Sequence, residues 1–363
     1  MSFPNIHNVR DLSNWLESEK IPYSSLGNTA MGDPILMIHK EGVGDPVLIT
    51  SGAHAGEPAG VFAAMTILKN WKYKNPLYMV PLRDPFGFQG YEACLSHAMG
   101  REMHFETHGE LWKILKENCT ELLYEDDTFL LVDMNGILLT NQIRPEKIVG
   151  PRGVELKVNA VLAEHPELIG KCAGKRIVFP SNAGDAENVW DFYRAFSAEI
   201  TAKGIVADMN RRFGTQEEPN EVKFLRQLCD EIKPPVVLDL HEGQGSSYYF
   251  FVPDYNKNPA IAHYTRLMRD AIIAHGKPIT TLDDVAKRLG NHMLEQFVEP
   301  VPGVLVDAGL SAKQGGSGFS SYAGKYGASI TIECGRWAPL EDRVNIHLWA
   351  AEAMLNDMSS STT

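Results

Sequence analysis

Short apolar runs alternate with longer stretches of helical periodicity near the beginning of the chain. Residues 46–51 (PVLITS) and 77–81 (LYMVP) are apolar runs of strand length. Residues 59–71 between them are rich in apolar side chains, and Pro58 is suited to the first position of a helix. Strands that alternate with helices predict an α/β fold, with a mixed, mostly parallel β-sheet flanked by helices.

The last part of the chain repeats this α/β pattern. Its apolar runs of strand length are VVLDL at 236–240, YYFFV at 248–252 and SITIE at 329–333. The predicted helices are 221–232, 259–275 and 342–357. The first of these strands is predicted to end at His241 and the third at Glu333.

The middle of the chain has a different pattern. Two β-prone runs, 128–134 and 137–143, flank Asn135-Gly136, a pair that favours a two-residue hairpin because both turn positions accept a positive φ. Residues 175–179 (KRIVF) predict a further strand. We therefore predict an inserted α+β subdomain at 89–184, and one α/β domain formed by 1–88 and 185–363.

Composition and charge exclude several classes of function. The chain has 363 residues and a net charge of −12, and it has no cluster of Lys and Arg that would follow a phosphate backbone, so nucleic acid is not expected as a partner. No apolar run reaches the roughly 18–20 residues of a membrane span, and the N-terminus lacks the pattern of a signal peptide. The 5 cysteines include no C-x-x-C pair, which predicts free thiols and a cytoplasmic location.

Candidate metal ligands follow two of the predicted strands. In SGAHAGEPAG, His54 and Glu57 lie three residues apart directly after a strand, although this spacing alone favours a helix N-terminus with a first-turn Glu. In VVLDLHEGQG, His241 follows a strand and precedes a Gly-rich loop. Ligands of α/β sheets gather at the carboxyl ends of strands. Two imidazoles and one carboxylate therefore predict a zinc site with an open fourth position.

Two further motifs supply polar side chains for chemistry and binding. Glu333 at the end of SITIE is either an exposed, solvated carboxylate or, if a metal ion is bound beside it, a group that takes a proton from the metal-bound water. In ADMNRRFG, the pair Asn210-Arg211 puts an amide beside a guanidinium, which suits a substrate carboxylate because both groups donate hydrogen bonds. The same residue types are also common in surface turns.

The ordered set HAGE, DMNRRF, LDLHEGQG and TIECG resembles the motifs of a known enzyme family. It is similar to the zinc metallocarboxypeptidases of the carboxypeptidase A type and to their relatives, the succinylglutamate desuccinylases and aspartoacylases. The match spans His54 to Glu333. The resemblance implies a zinc carboxypeptidase-like catalytic domain, one Zn²⁺ per chain and amide hydrolysis by a metal-activated water.

The resemblance also assigns a role to each motif residue. The assignments are His54, Glu57 and His241 as metal ligands, Glu333 as general acid/base, Asn210 and Arg211 as the grip on a terminal carboxylate, Asp208 as the residue that orients His54, and Arg194 as the residue that polarises the scissile carbonyl. Arg194 is chosen by spacing, and its surroundings, NVWDFYRAF, are helix-like in pattern. The position of the family's mobile Tyr is Ser311 here, so Tyr322 or Tyr326 would have to replace it. Arg83 could form an extra anion contact or a structural salt bridge, and we expect the salt bridge.

The substrate class stays open between a peptide with a free C-terminus and an N-acyl amino acid, because both carry a carboxylate near the amide. The alternatives are therefore a carboxypeptidase and a deacylase, and a third is a non-catalytic zinc-binding module on the same fold. Gly318-Phe319, in the segment that shapes the specificity pocket of relatives, carries no acid. The expected partner is a small peptide or N-acyl amino acid, without a membrane, and the oligomeric state is left open.

Overall fold

The computed structural model describes residues 6–142, 150–182, 190–243, 245, 247–256, 258–307 and 317–360. The strands are β1 (Ser24–Asn28), β2 (Pro34–Lys40), β3 (Val47–Ser51), β4 (Leu77–Val80), β5 (Glu121–Glu125), β6 (Phe129–Met134), β7 (Ile137–Gln142), β8 (Arg176–Asn182), β9 (Trp190–Ile200), β10 (Val206–Ala207), β11 (Val236–Gly243), β12 (Tyr248–Val252), β13 (Phe297–Val301), β14 (Val304–Asp307) and β15 (Ala328–Gly335).

The helices are distributed along the whole chain. They are α1 (Val9–Ser18), α2 (Pro58–Lys69), α3 (Pro85–Phe88), α4 (Tyr91–Met99), α5 (His108–Asn118), α6 (Gly150–Glu164), α7 (Ile169–Cys172), α8 (Asn220–Ile232), α9 (Pro259–Ala274), α10 (Leu282–Leu289), α11 (His292–Gln296), α12 (Phe319–Ala323) and α13 (Leu340–Ser360). In the described ranges, no helix has both the length and the apolar character that crossing a bilayer requires.

The chain divides into two units, each with its own sheet. The first contains Met1–Ala53, Glu57–Arg83 and Asn210–Thr363, and the second contains His54–Gly56 and Asp84–Met209. The second unit therefore begins before residue 89 and extends beyond residue 184, where the sequence put the limits of an insertion. The division into a catalytic domain and an insertion stays a prediction.

The first unit is built on a nine-stranded mixed sheet in the order β1-β2-β4-β3-β11-β15-β12-β14-β13. Its central strands β4, β3, β11 and β15 are parallel, and β1, β2 and β13 pair antiparallel with their neighbours. Helices α2, α9 and α13 pack on the central strands. The predicted fold class, a mixed sheet flanked by helices, is confirmed.

The central strands are continuous apolar runs because both faces of the sheet are covered. Every residue of β3 and of β11 is buried. Helix α2 begins with Pro58 at its first position, as predicted, and buries most of its residues against these two strands. The fixed φ of proline suits a helix start, and its missing N–H removes no helical hydrogen bond there.

The second unit is built on a six-stranded sheet in the order β10-β9-β8-β7-β6-β5. The predicted hairpin is confirmed: Asn135 and Gly136 join β6 to β7 with φ values of 53° and 90°. The apolar core of this sheet includes Phe129, Leu138 and Val158.

The helix-like segment around Arg194 is a strand, so that expectation was wrong. Residues Trp190–Ile200 form β9, which pairs antiparallel with β8. Four aromatic side chains in WDFYRAF favour a strand, and the pairing with β8 overrides the local helical pattern.

The prediction that the cysteines are thiols and not disulfides is confirmed. None of the five forms a disulfide bond, and Cys94, Cys172, Cys229 and Cys334 are buried.

Candidate metal centre

The strands that carry the predicted chemistry lie side by side in the first sheet. β3 pairs in parallel with β11, with Ser51 opposite Leu240, and β11 pairs in parallel with β15, with His241 opposite Glu333. Paired residues of parallel strands point to the same face, and neighbouring strands are about 4.8 Å apart. His241 and Glu333 therefore share one face. Both strands continue for two residues beyond these positions, whereas the apolar runs predicted that they end there.

A sharp bend after β3 leads to the first two candidate ligands. Gly52 has a φ of 62°, and a Cβ at this position would lie 2.9 Å from Cδ1 of Leu82. Only glycine combines this backbone conformation with this close approach. His54 lies just after the bend, and Glu57 directly precedes the first residue of α2.

His54, Glu57 and His241 form a potential metal site. Each offers one ligand atom, and these three atoms all lie within 4.8 Å of one another. Glu57 and His241 are buried and His54 is half-buried. Neutral imidazole and carboxylate are ordinary ligands of zinc, at roughly 2.0–2.2 Å. The donor set therefore fits a divalent metal ion such as zinc.

Asp239 fixes the ring of His241. Nε2 of His241 lies 2.9 Å from Oδ2 of Asp239, and Nδ1 lies 3.0 Å from Oε2 of Glu57. Burial alone would lower the pKa of His241, but the charges of Asp239 and Glu57 raise it well above its ordinary value. Because the nitrogen that faces Asp239 is engaged, Nδ1 is the atom that this ring would offer to a metal ion.

Asp239 is itself held by two donors. Oγ1 of Thr50 donates to Oδ1 at 2.6 Å, and Nη1 of Arg83 lies 3.0 Å from each carboxylate oxygen. Burial alone would raise the pKa of Asp239, but the charges of His241 and Arg83 lower it. The carboxylate therefore stays ionised, which is the state that orients an imidazole most strongly.

Glu57 is held by the residue that follows His241. The backbone N–H of Glu242 donates to Oε2 of Glu57 at 3.1 Å, and Nη2 of Arg336 donates to Oε1 at 3.3 Å. In return, the side chain of Glu242 accepts from the backbone N–H of Ala59 in the first turn of α2 at 2.6 Å. The two ligand-bearing segments thus bind each other through neighbouring residues.

His54 is paired with the residue that the sequence motif assigned to it. Nε2 of His54 lies 3.2 Å from Oδ2 of Asp208, and its ring stacks on Phe196 with centroids 5.5 Å apart. Contact with a carboxylate at Nε2 leaves Nδ1 as the nitrogen that this ring too would offer to a metal ion.

Asn210 and Arg211 lie in a turn of 3-10 helix and differ in burial. Asn210 is buried, and its Oδ1 accepts from Nη2 of Arg83 at 2.8 Å and from the backbone N–H of Phe319 at 3.3 Å. Arg211 is exposed. The salt bridge expected for Arg83 is confirmed, because its guanidinium binds Asp239.

Four further predicted positions either lie outside the described residues, in whole or in their side chains, or contact helix α8. Arg194 lies in β9, but its side chain is outside the described residues, as is the whole of Ser311. The hydroxyl groups of Tyr322 and Tyr326 both donate to Oδ1 of Asp230, at 2.5 and 2.7 Å. Both tyrosines are therefore anchored to helix α8.

Sequence reasoning named Asp208 as the partner of His54 but missed Asp239, Glu242 and Arg336, which contact the other two candidate ligands. Asp239 had a usable signal, since a residue two before His241 on a strand lies on the same face. Glu242 and Arg336 had none, because their partners, Ala59 and Glu57, are distant in the chain.

No family model matches the chain, and neither does any curated protein. Among solved structures, it is similar to a metallo-carboxypeptidase from Burkholderia cenocepacia, with 12% identity, a TM-score of 0.49 and coverage of 97% of this chain and 69% of the other. It is also similar to carboxypeptidase A from Helicoverpa armigera, with 11% identity, a TM-score of 0.49 and coverage of 100% and 76%. A third is bovine thrombin-activatable fibrinolysis inhibitor, with 10% identity, a TM-score of 0.49 and coverage of 99% of each chain.

Proposed function

We propose that the protein is a zinc-dependent hydrolase of the metallocarboxypeptidase type, which cleaves an amide bond next to a free carboxylate. The observation that carries this is the convergence of the ligand atoms of His54, Glu57 and His241 within 4.8 Å. Glu333 on the neighbouring strand, opposite His241, adds an acid on the same face. Ligands and acid together are what metal-assisted hydrolysis needs.

The three ligands would hold one zinc ion per chain. A bound zinc ion supplies a Lewis acid for the scissile carbonyl and lowers the pKa of a water molecule. Three protein ligands leave a fourth position open, which is typical of catalytic sites and not of structural ones. His54 and His241 are held by Asp208 and Asp239, and such partners fix the ring orientation and raise the basicity of the ligand.

Glu333 is the proposed general acid/base. Its side chain is half-buried and therefore retains access to solvent, in contrast to the buried ligand Glu57. In the proposed reaction the Glu333 carboxylate takes a proton from the attacking water and then delivers it to the departing amine.

Asn210 and Arg211 would bind the free carboxylate of the substrate. Both side chains have hydrogen-bond donors, and the guanidinium adds positive charge. Arg194 is the proposed hydrogen-bond donor to the oxyanion, and the loss of one such donor often costs about 3–4 kcal/mol of transition-state stabilisation.

The test is hydrolysis by the zinc-loaded protein of three matched substrates. They are an N-acyl dipeptide with a free C-terminus, the same dipeptide as its C-terminal amide, and the corresponding N-acyl amino acid. We expect cleavage of the free dipeptide and little cleavage of the amide. Faster cleavage of the N-acyl amino acid would indicate a deacylase, and equal cleavage of the free and amidated dipeptides would exclude the carboxylate grip.

Glu333→Gln separates an enzyme from a non-catalytic zinc-binding module. The variant should bind one zinc ion per chain and lose about 10²–10⁴ in rate, because proton transfer by a positioned side chain contributes that much. Zinc content is measured on the same samples by atomic absorption. A variant as active as the parent, or a parent that binds no zinc, would contradict the proposal.

A further inference from the structure

Arg83 binds two groups with different proposed roles. Its Nη1 lies 3.0 Å from each oxygen of Asp239, and its Nη2 donates to Oδ1 of Asn210 at 2.8 Å. Asp239 orients the proposed metal ligand His241, and Asn210 belongs to the proposed carboxylate grip. One buried guanidinium therefore joins the metal ligand to the substrate-binding amide.

The contacts of Asn210 decide which end of its amide is presented to a ligand. Both groups at one end, Nη2 of Arg83 and the backbone N–H of Phe319, are donors, so that end must be the oxygen. Its two lone pairs are then used, and the amide nitrogen with its two donors points the other way. The side chain can therefore offer a ligand only donors, which suits an anion.

Arg83 is held rigidly in this position. Its guanidinium carbon lies 4.9 Å from the ring centroid of Phe319 and 5.5 Å from that of Phe213. Such stacking favours a planar guanidinium. A lysine at this position would keep the positive charge beside Asp239, but a single ammonium on a flexible stem does not reproduce the planar fork that binds Asp239 and Asn210 together.

We propose that Arg83 is a positioning residue that makes the site selective for ligands with a free carboxylate. It does so by fixing the Asn210 amide with its donors toward the ligand, while the same guanidinium supports Asp239. This rests on the proposed function only in that Asn210 and Arg211 contact the ligand. Selectivity for an acid over its amide is a binding property, so it can be measured without turnover.

The experiment uses the full chain and two probes that differ in one group, N-acetylphenylalanine and its C-terminal amide. Their dissociation constants are measured by calorimetry on zinc-loaded and zinc-free protein. The parent should prefer the acid. Arg83→Lys should lose about tenfold of this preference, the change expected from about 1.4 kcal/mol of hydrogen bonding. Asn210→Ala should lose a similar amount, and the double variant should lose no more than either single variant.

Two further variants keep the test decisive if Arg83→Lys is poorly folded. Asn210→Asp retains an acceptor for Arg83 but replaces the outward donors by a carboxylate oxygen, so it should reverse the preference in favour of the amide. Asp239→Asn should weaken zinc binding and leave the acid preference intact. Fully additive losses in the double variant, or an unchanged preference in Asn210→Asp, would overturn the proposal.

The outcomes also separate this inference from the proposed function. A parent that prefers the acid but hydrolyses no substrate keeps the role of Arg83 and removes the hydrolase. A parent that hydrolyses amides but binds acid and amide equally keeps the hydrolase and removes the role of Arg83.

Discussion

Asp239 and His241 lie two residues apart on the same face of β11, and the carboxylate of Asp239 lies 2.9 Å from Nε2 of the imidazole. The pleat of the strand creates this contact, because side chains at i and i+2 point the same way. The carboxylate is in turn held by Thr50 and Arg83. The orientation of the imidazole is therefore set by one strand and two fixed donors.

Asp239→Asn should weaken zinc binding by about 10–100-fold, the usual cost of removing a partner of a metal-binding histidine. The amide keeps the shape of the carboxylate but loses its negative charge. That charge raises the basicity of the His241 imidazole as a metal ligand. Zinc affinity is measured by competition with a chromophoric chelator at fixed pH. Asp45→Asn, at an exposed position, is the matched control and should bind zinc like the parent. Equal affinity in both variants would refute the role of Asp239.

Helix α2 touches strand β11 through Gly60. A Cβ at this position would lie 2.6 Å from the backbone oxygen of Leu240, directly before His241. Gly60→Ala should therefore lower the free energy of unfolding by about 1–3 kcal/mol, as overpacking usually does. Urea unfolding of the zinc-free protein measures it. Gly109→Ala in α5, where the nearest atom lies 3.9 Å away, should instead stabilise slightly, because alanine is the better helix former. The reverse order of stabilities would contradict this packing.

The central sheet could be predicted because its strands are marked by local pattern. β3, β4, β11 and β12 each coincide with an apolar run to within a few residues, and α2 begins at the expected proline. The motif residues His54, Glu57 and His241 could also be identified from the sequence, because each follows or lies near the end of a predicted strand. The carboxyl ends of parallel strands lie at the same edge of a sheet, so residues that follow these strands are expected to lie near one another.

The surroundings of the site could not be predicted, because they depend on contacts between distant residues. Glu242 binds the N-terminus of α2, 183 residues away in the chain, and Arg336 binds Glu57 across 279 residues. Neither residue type signals such a partner. The strand β9 was missed for the same reason, since its pairing with β8 overrides a local helical pattern.

Glu242, the residue after the candidate ligand His241, forms a buried ion pair with Arg343, and both side chains are at most 2% exposed. Arg343→Met should lower the free energy of unfolding by about 3–5 kcal/mol, because it leaves an uncompensated carboxylate in the interior. Lys113→Met breaks an exposed pair with Glu117 and should cost only about 0.3–0.5 kcal/mol. The denaturant midpoints of the two variants give the two losses in stability. Similar losses would show that the buried pair contributes no more than the exposed one.

Asp230 should contribute to the decrease in the free energy of unfolding at acid pH. Burial alone would raise its pKa, but hydrogen bonds from Tyr322, Tyr326 and Lys325 lower it from 3.8 to about 2. Because the folded pKa lies below the unfolded one, the ionised carboxylate stabilises the fold above about pH 4, and this contribution is lost as the pH falls toward 2.

Asp230→Asn should therefore be less stable than the parent at neutral pH, and the difference should shrink between about pH 4 and pH 2 as the parent's carboxylate is protonated. Urea unfolding of both proteins across this pH range gives the difference in the free energy of unfolding. The contributions of the other acidic residues cancel, because both proteins contain them. Asp127→Asn, at an exposed position, provides the matched comparison. A difference between parent and Asp230→Asn that stays constant down to pH 2 would mean that the two tyrosines and the lysine do not stabilise the charged form, and that the contact with α8 depends on packing alone.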